Sequence, residues 1–404
     1  MTTPHIERRN EQMRETALEQ TTKIEAQLIE FRRLLHSEPE LSEHEFKTQE
    51  KIIAKLEEFG IPYRKVGKTS TIATIKGKNA GKTVALRADI DALPINEDLD
   101  LDFQSTNPGV MHACGHDAHT TMAMGAAKIL NEVKDTFDGE VRIFFQEAEE
   151  TFEGAKKIVA DGGMEGVDAV FGMHNYNTIA SGSFYSGPGD LFSGCDTIYV
   201  TFTGKSGHGG TPQLGKDSFT PAAQFALDLQ QIIAKNVDSR NPVIFNIGRF
   251  TSGTKANIVP KKSTMDISMR YFDEVSRDLT HEALKRHAQH FAEMYEITVD
   301  VTIEPSTPPT KNDAALAKIA TTAGMKVFGS DKVTEFPRAM NSEDFSYYLK
   351  DAPGVYGIIG IYNEEKNTTY APHDDHFELD EDILKLGAAW HIEFALAFLG
   401  TTSK

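Results

Sequence analysis

Hydrophobic positions fall into two rhythms along the first half of the chain. Ile24, Leu28, Phe31, Leu34 and Leu35 recur at helical spacing and predict an amphipathic helix that breaks near Pro39. A second helical run, roughly Glu45 to Phe59, stops at Gly60 and Pro62. Short unbroken apolar runs follow: KTVALRADID, GEVRIFFQEAEE and DAVFGMHN. Each leads from strand-forming residues into acids or imidazoles. Between them, AHTTMAMGAAKIL and GAKKIVADG read as helices. This alternation predicts an α/β fold with a mostly parallel sheet and helices on its faces. In such sheets the site lies beyond the carboxyl ends of the strands, where the polar clusters stand.

The rhythm changes near residues 187–196 (GPGDLFSGCD). After it the order is strand, helix, strand, strand, helix, strand, from TIYVTFTG to ITVDVTIEP, which is the ferredoxin-like βαββαβ sequence. From about residue 310 helix and strand alternate again, ending in LKLGAAWHIEFALAFL. The chain is 404 residues long, more than one core usually supports. We therefore expect an N-terminal extension (1–22), a catalytic metal-binding domain (23–190 and 307–404), and an inserted smaller domain (191–306). The extension is polar, with a helical periodicity.

Net charge is −18. That acidity argues against nucleic acid or an anionic membrane as partner, since both need clustered Lys and Arg. It leaves open a small anionic substrate. The cysteines, Cys114 and Cys195, form no CxxC pair and read as reduced thiols. No apolar run approaches membrane-spanning length, and the first twenty residues lack the apolar core of a signal peptide, so a cytoplasmic protein is expected.

The segment MHACGHDAHT carries the most chemistry. It gathers His112, Cys114, His116, Asp117 and His119 just before a helix. A thiolate and an imidazole two residues apart, with Gly between, can face one cation from a tight turn, and both suit zinc and similar borderline metals. QEAEE brings three carboxylates to a strand end, which is costly unless cations neutralise them. Glu149 and Glu150 can divide the work between ligand and general base. His174 follows an apolar strand, and PHDDHFELDE supplies His373 and His376. MHACGHDAHT alone already favours metal binding, QEAEE alone is as readily a solvated acidic loop, and His174 and PHDDHFELDE alone read as a satisfied histidine and a loop. All four at predicted strand ends read as one centre.

RADIDALP, HACGHDAHT, QEAEE, GMHN, GKSGHGGTP, TKANIVP, MRYFD, NSEDF and HDDHFELDE occur in the order found in the M20 metallopeptidase family. The chain most resembles its aminoacylase, IAA-amino-acid hydrolase and carboxypeptidase subfamily, over nearly its whole length. The resemblance implies two divalent metal ions, zinc or manganese with cobalt or nickel as alternatives. It implies Cys114, His116, Glu150, His174 and His373 as ligands and Glu149 as catalytic base. Asp89 and Asp91 are read as groups that orient ligands, with Asp117 doing the same for His116. The inserted domain would be a lid and dimerisation domain, giving a homodimer or a dimer-based oligomer. Its His208 and Asn257 would reach the substrate, and Arg270 would bind the substrate carboxylate through its guanidinium fork.

The implied reaction is hydrolysis of the amide bond of a small N-acyl amino acid. A dipeptidase, carboxypeptidase or p-aminobenzoyl-glutamate hydrolase is the alternative on the same scaffold. A non-catalytic binding protein would not need an intact Glu149 beside a full ligand set. Two residues depart from the family pattern: Glu147 where proline is usual, and Gln213 where histidine is frequent. His376 is an additional imidazole beside His373, and the resemblance gives the ligand role to His373, which stands four residues before Phe377 as the family's histidine does.

Overall fold

The computed structural model describes residues 15–400. In chain order the principal elements are α1 (Ala17–Lys23), α2 (Glu25–His36), α3 (Phe46–Glu58), β1 (Tyr63–Val66), β2 (Ser70–Lys76) and β3 (Thr83–Asp89). Then come α4 (His116–Glu132), β4 (Glu140–Gln146), α5 (Gly154–Ala160), β5 (Ala169–Ala180) and β6 (Phe184–Tyr185). Next are β7 (Gly194–Thr203), α6 (Phe219–Asn236), β8 (Ile244–Ser252), β9 (Lys262–Tyr271), α7 (Glu274–Met294) and β10 (Thr298–Thr307). The chain closes with α8 (Ala314–Phe328), β11 (Gly354–Tyr362) and α9 (Ile383–Leu399).

These elements form two compact units. The first holds the described residues up to Gly189, then Lys311–Pro337 and Asp344 onward; the second holds Asp190–Thr310 and Arg338–Glu343. The first unit is built on a seven-stranded sheet in the order β1-β2-β4-β3-β5-β11-β6. Its four central strands, β4, β3, β5 and β11, run parallel. The edges, β1 with β2 and β6 on β11, are antiparallel. Strands covered on both faces should be apolar throughout, and β11 (GVYGIIGIY) is buried along all but its last residue. Trp390 of α9 is fully buried and donates its indole N–H to the Ala320 carbonyl of α8 at 2.8 Å.

Two details differ from the sequence reading. Residues 17–22, assigned to a polar extension, belong to α1, whose Thr16–Glu19 capping box satisfies its first amides and whose Ala17 lies in the core. Residues 1–14 of that extension lie outside the described residues. Leu34 has the right spacing for the core face of α2, yet it is 42% exposed, so the stripe is narrower than its periodicity suggests.

The second unit has a four-stranded antiparallel sheet in the order β8-β9-β7-β10. Burial alternates along β9, so one face of the sheet is packed. That face, with Ile198, Val200, Met265 and Ile267, joins Phe225 and Leu229 of α6 and Leu284 and Ala288 of α7 in a separate core. Among the described residues no helix is long and apolar enough to cross a membrane.

Candidate metal centre

The parallel strands of the first unit deliver polar side chains to a common place. β3 ends at Asp89 and leads into Asp91. Cys114 and Gly115 form the turn before α4, whose first residue is His116. β4 leads into Glu149 and Glu150, β5 carries His174, and the loop after β11 carries His373. Among the groups whose donor atoms lie within 4.8 Å of one another are Cys114, His116 and His174; Cys114, Glu150 and His373; His116, Glu149 and Glu150; and Asp89, His116 and His119. Cys114 belongs to the first two and His116 to three.

Hydrogen bonds fix how these rings point. His116 Nδ1 lies 3.0 Å from both the Asp91 carbonyl and its Oδ1, which can only accept, so Nδ1 carries the proton. Its Nε2 is buried without a partner. His174 Nδ1 donates to the Asn175 carbonyl at 2.8 Å, leaving Nε2 3.4 Å from Cys114 Sγ. His119 differs. Its Nδ1 faces Asp89 Oδ1 at 2.7 Å and its Nε2 accepts the Asn175 amide at 3.1 Å, so both nitrogens are used.

Gly115 sits at φ +86°, and a Cβ there would fall 2.1 Å from Asn175 Oδ1. Only glycine lets the Cys114 turn approach this closely. The Asn175 side chain in turn donates to the Cys114 carbonyl at 3.1 Å. His373 adopts φ +71° and its amide donates to the Ala113 carbonyl at 2.7 Å, tying the C-terminal loop to the same turn. Its Nε2 lies 3.4 Å from Glu150 Oε1. His376 is stacked on Tyr370 and held by Asp375 at 2.7 Å.

The electrostatics ask for positive charge. Burial opposes ionisation of Asp89, yet His116 and Arg87 beside it hold its carboxyl well below the usual range. Burial and the Glu150 carboxylate push the Cys114 thiol up. Burial alone would lower His116, but Asp89 and Cys114 raise it well above the ordinary imidazole value. Burial and His119 push His174 down, so its Nε2 keeps a free lone pair. A cation would invert the thiol's preference and take the place of the proton on His116. The donor set of sulfur, imidazole and carboxylate, with His116 Nε2 buried and without a hydrogen bond, fits borderline divalent metals.

In the second unit, His208 and Asn257 are brought together. A two-residue ladder pairs His208 with Ile258, and Gly209 donates its amide to the Asn257 carbonyl at 2.8 Å. His208 Nδ1 accepts from the Gly210 amide at 3.0 Å, so Nε2 carries the outward proton. Both side chains are exposed. Arg270, on β9, donates to the Met340 carbonyl at 2.8 Å and to Ser342 Oγ at 3.0 Å.

One expectation is overturned. Asp117 does not orient His116: its Oδ2 accepts from Arg32 Nε at 2.7 Å and faces His36 Nδ1 at 2.8 Å. The residue on His116 is Asp91. Successive residues on a helix point about 100° apart, which turns Asp117 away from its neighbour. Sequence reasoning also left Asn175, Arg87 and Asp344 without roles. Arg87 is fully buried between Asp89, at 2.6 Å, and Asp344, at 2.9 Å. Asn175 stands in GMHN beside His174, the one local signal that pointed to it.

Comparison with known proteins gives a consistent result. A family model described as peptidase family M20/M25/M40 matches residues 85–397. The chain is 38% identical to thermostable carboxypeptidase 1 of Saccharolobus solfataricus over 381 residues, 93% of this chain and 96% of that one. It is 36% identical to N-acetyl-L-cysteine deacetylase of Bacillus subtilis, over 89% of this chain and 85% of that one. Among solved structures, the YXEP protein of Bacillus subtilis, a dinuclear metal binding peptidase from the M20 family, superposes with a TM-score of 0.83 at 33% identity. That match covers 94% of this chain and 99% of the other.

Proposed function

Because the chain belongs to peptidase family M20/M25/M40, we propose that it is a metal-dependent amidohydrolase cleaving the amide bond of N-acyl amino acids. The observation that carries this reading is the convergence of Cys114, His116, Glu150, His174 and His373, from four remote segments, with the imidazoles of His116 and His174 oriented from behind. These five residues would hold two divalent ions, zinc or manganese, with Cys114 common to two of the donor groups. Asp89 and Asp91 orient the imidazoles. The bound ions would supply acidified water and polarise the scissile carbonyl.

This chain's own groups do the remaining work. Glu149, 6% exposed at the rim of the donor cluster, takes the water proton on its carboxylate and returns it to the departing amine. His208 presents an Nε2 proton to the oxyanion that develops on the carbonyl oxygen. Asn257 contacts the substrate. Arg270, its guanidinium oriented by Met340 and Ser342, holds the carboxylate of the amino-acid half. The second unit serves as a ferredoxin-like lid and dimerisation domain, and the protein acts in the cytoplasm.

The test is a panel of N-acetyl and N-benzoyl amino acids beside matched unblocked dipeptides, read by ninhydrin for freed amine, with elemental analysis of the protein. We expect amine release from the N-acyl compounds, loss of activity with a chelator, and recovery on adding zinc or manganese. Similarity to a carboxypeptidase favours a second reading, cleavage of short peptides. Metal-loaded protein that splits only the unblocked dipeptides would move the assignment there.

A further inference from the structure

Glu147 is a fully buried carboxylate in the turn that carries Glu149 and Glu150. Its Oε2 accepts from three successive backbone amides, those of Lys68 at 2.9 Å, Thr69, and Ser70 at 2.8 Å, and from Thr69 Oγ1 at 3.0 Å. Its Oε1 receives Lys157 Nζ at 2.7 Å, and the same ammonium reaches Glu43 at 2.6 Å. The Glu147 amide donates to Ser70 Oγ at 3.0 Å. Successive amides arranged in this way form an anion-binding nest. Here the nest, between β1 and β2, is filled by the chain's own side chain.

The next residue shows what that anchorage achieves. Ala148 is held at φ +53°, a left-handed conformation that an L-residue rarely adopts unless its surroundings impose it. Its amide donates to the buried Glu45 Oε1 at 2.9 Å. Its carbonyl accepts the Glu153 and Gly154 amides at 3.2 and 3.3 Å. A Cβ on Gly154 would fall 1.6 Å from the Glu147 carbonyl, so the turn is closed tightly on itself. Beyond it, the Glu150 amide donates to Asp91 Oδ2 at 3.1 Å. The turn is therefore gripped at Glu147 and Ala148 on one side and at Glu150 on the other, with Glu149 between.

We propose that Glu147, with Lys157, is a positioning residue: the internal ion pair seated in the 68–70 nest imposes the left-handed turn at Ala148 that aims Glu149 and Glu150 at the metal centre. Its part in turnover rests on the hydrolase reading above; its part in holding the turn does not.

The experiment compares wild type with E147A, E147Q and Lys157→Met, each loaded with Zn²⁺. Amide hydrogen exchange over residues 146–154 reports the turn, and Zn²⁺ titration reports the donor set. Steady-state kinetics use whichever substrate the panel identifies. In E147A, exchange in this segment rises at least tenfold while the rest of the first unit stays protected. The Zn²⁺ dissociation constant rises about 10-fold to 100-fold, the range typical for losing a group that orients ligands. kcat falls by a similar factor with KM within twofold. E147Q, which keeps one acceptor oxygen in the nest, recovers most of the protection, and Lys157→Met loses part of it. A folded E147A with wild-type exchange and Zn²⁺ affinity overturns the proposal, as does exchange raised uniformly over the unit. If E147A does not fold, E147Q and Lys157→Met decide: wild-type protection and affinity in both overturns it. If the wild type hydrolyses no amide, the hydrolase reading fails while exchange and titration still judge the clamp.

Discussion

The two units hold their candidate functional groups in opposite ways. In the first, Cys114, His116 and His174 are buried, and each imidazole is locked by a carbonyl or carboxylate on the nitrogen that faces away from the donor cluster. In the second, His208 and Asn257 are exposed on a short two-residue ladder. Metal donors gain from rigidity, because misaligned ligands lose affinity for the ion. Groups that touch a substrate must let it enter and leave, and exposed turns allow that. On the proposed roles, the contrast would separate what holds the centre together from what recognises the substrate.

Four measurements would break or sharpen this contrast. The largest effect is expected from Glu149→Gln, which should lower kcat by roughly 10²-fold to 10⁴-fold while elemental analysis finds the wild-type metal content. A variant with normal turnover would remove Glu149 as the base. Next, His208→Ala in the second unit should cost about 10²-fold to 10³-fold in kcat, the usual result of losing an oxyanion donor, with metal content again unchanged. Loss of metal in this variant would mean that the two units are not chemically separate.

The third concerns stability. His36, buried against Asp117 and Glu97 with Arg32 alongside, has its pKa raised from 6.5 to about 9: burial and Arg32 oppose the charge, and the two carboxylates outweigh them. A raised folded-state value means that the contribution is complete below about pH 6.5 and disappears as pH climbs through 9, an effect of about 3 kcal/mol. Thermal melts of wild type should therefore drop between pH 6.5 and 9 by more than those of His36→Asn, and parallel profiles would refute the assignment. The smallest effect belongs to Asp91→Ala, which frees the His116 ring and should weaken metal binding about 10-fold to 100-fold in a chelator competition, with the fold retained. Unchanged affinity would show that the carbonyl of residue 91 suffices to orient the ring.

What the sequence made legible follows the same division. Cys114 and His116 stand out together in one short motif, whereas His174 and His373 gain weight only jointly with it, and the split of ligand and base between Glu150 and Glu149 comes from the family resemblance. The strand and helix rhythm locates them at strand ends. The supporting groups were hidden because they arrive from elsewhere: Glu45 at the start of α3 grips Ala148, and Asp344 reaches Arg87 across the sheet. Neither has a local spacing that announces it. Asp117 misled for the opposite reason, since adjacency in sequence is not adjacency on a helix. The βαββαβ order of the second unit could be read directly, because alternation along β9 and the periodicity of α6 and α7 follow from one packed face.

The stitch between the His373 amide and the Ala113 carbonyl has a consequence for biosynthesis. Domains tend to fold as they leave the ribosome, N-terminal parts first. Here the Cys114 turn emerges before the second unit, but His373, which is stitched to it, is translated only after that unit. A nascent chain thus carries an unfinished, thiol-bearing turn while the second unit is being made. On the proposed ligand set, truncation anywhere before residue 373 would leave the donor cluster without one of its imidazoles.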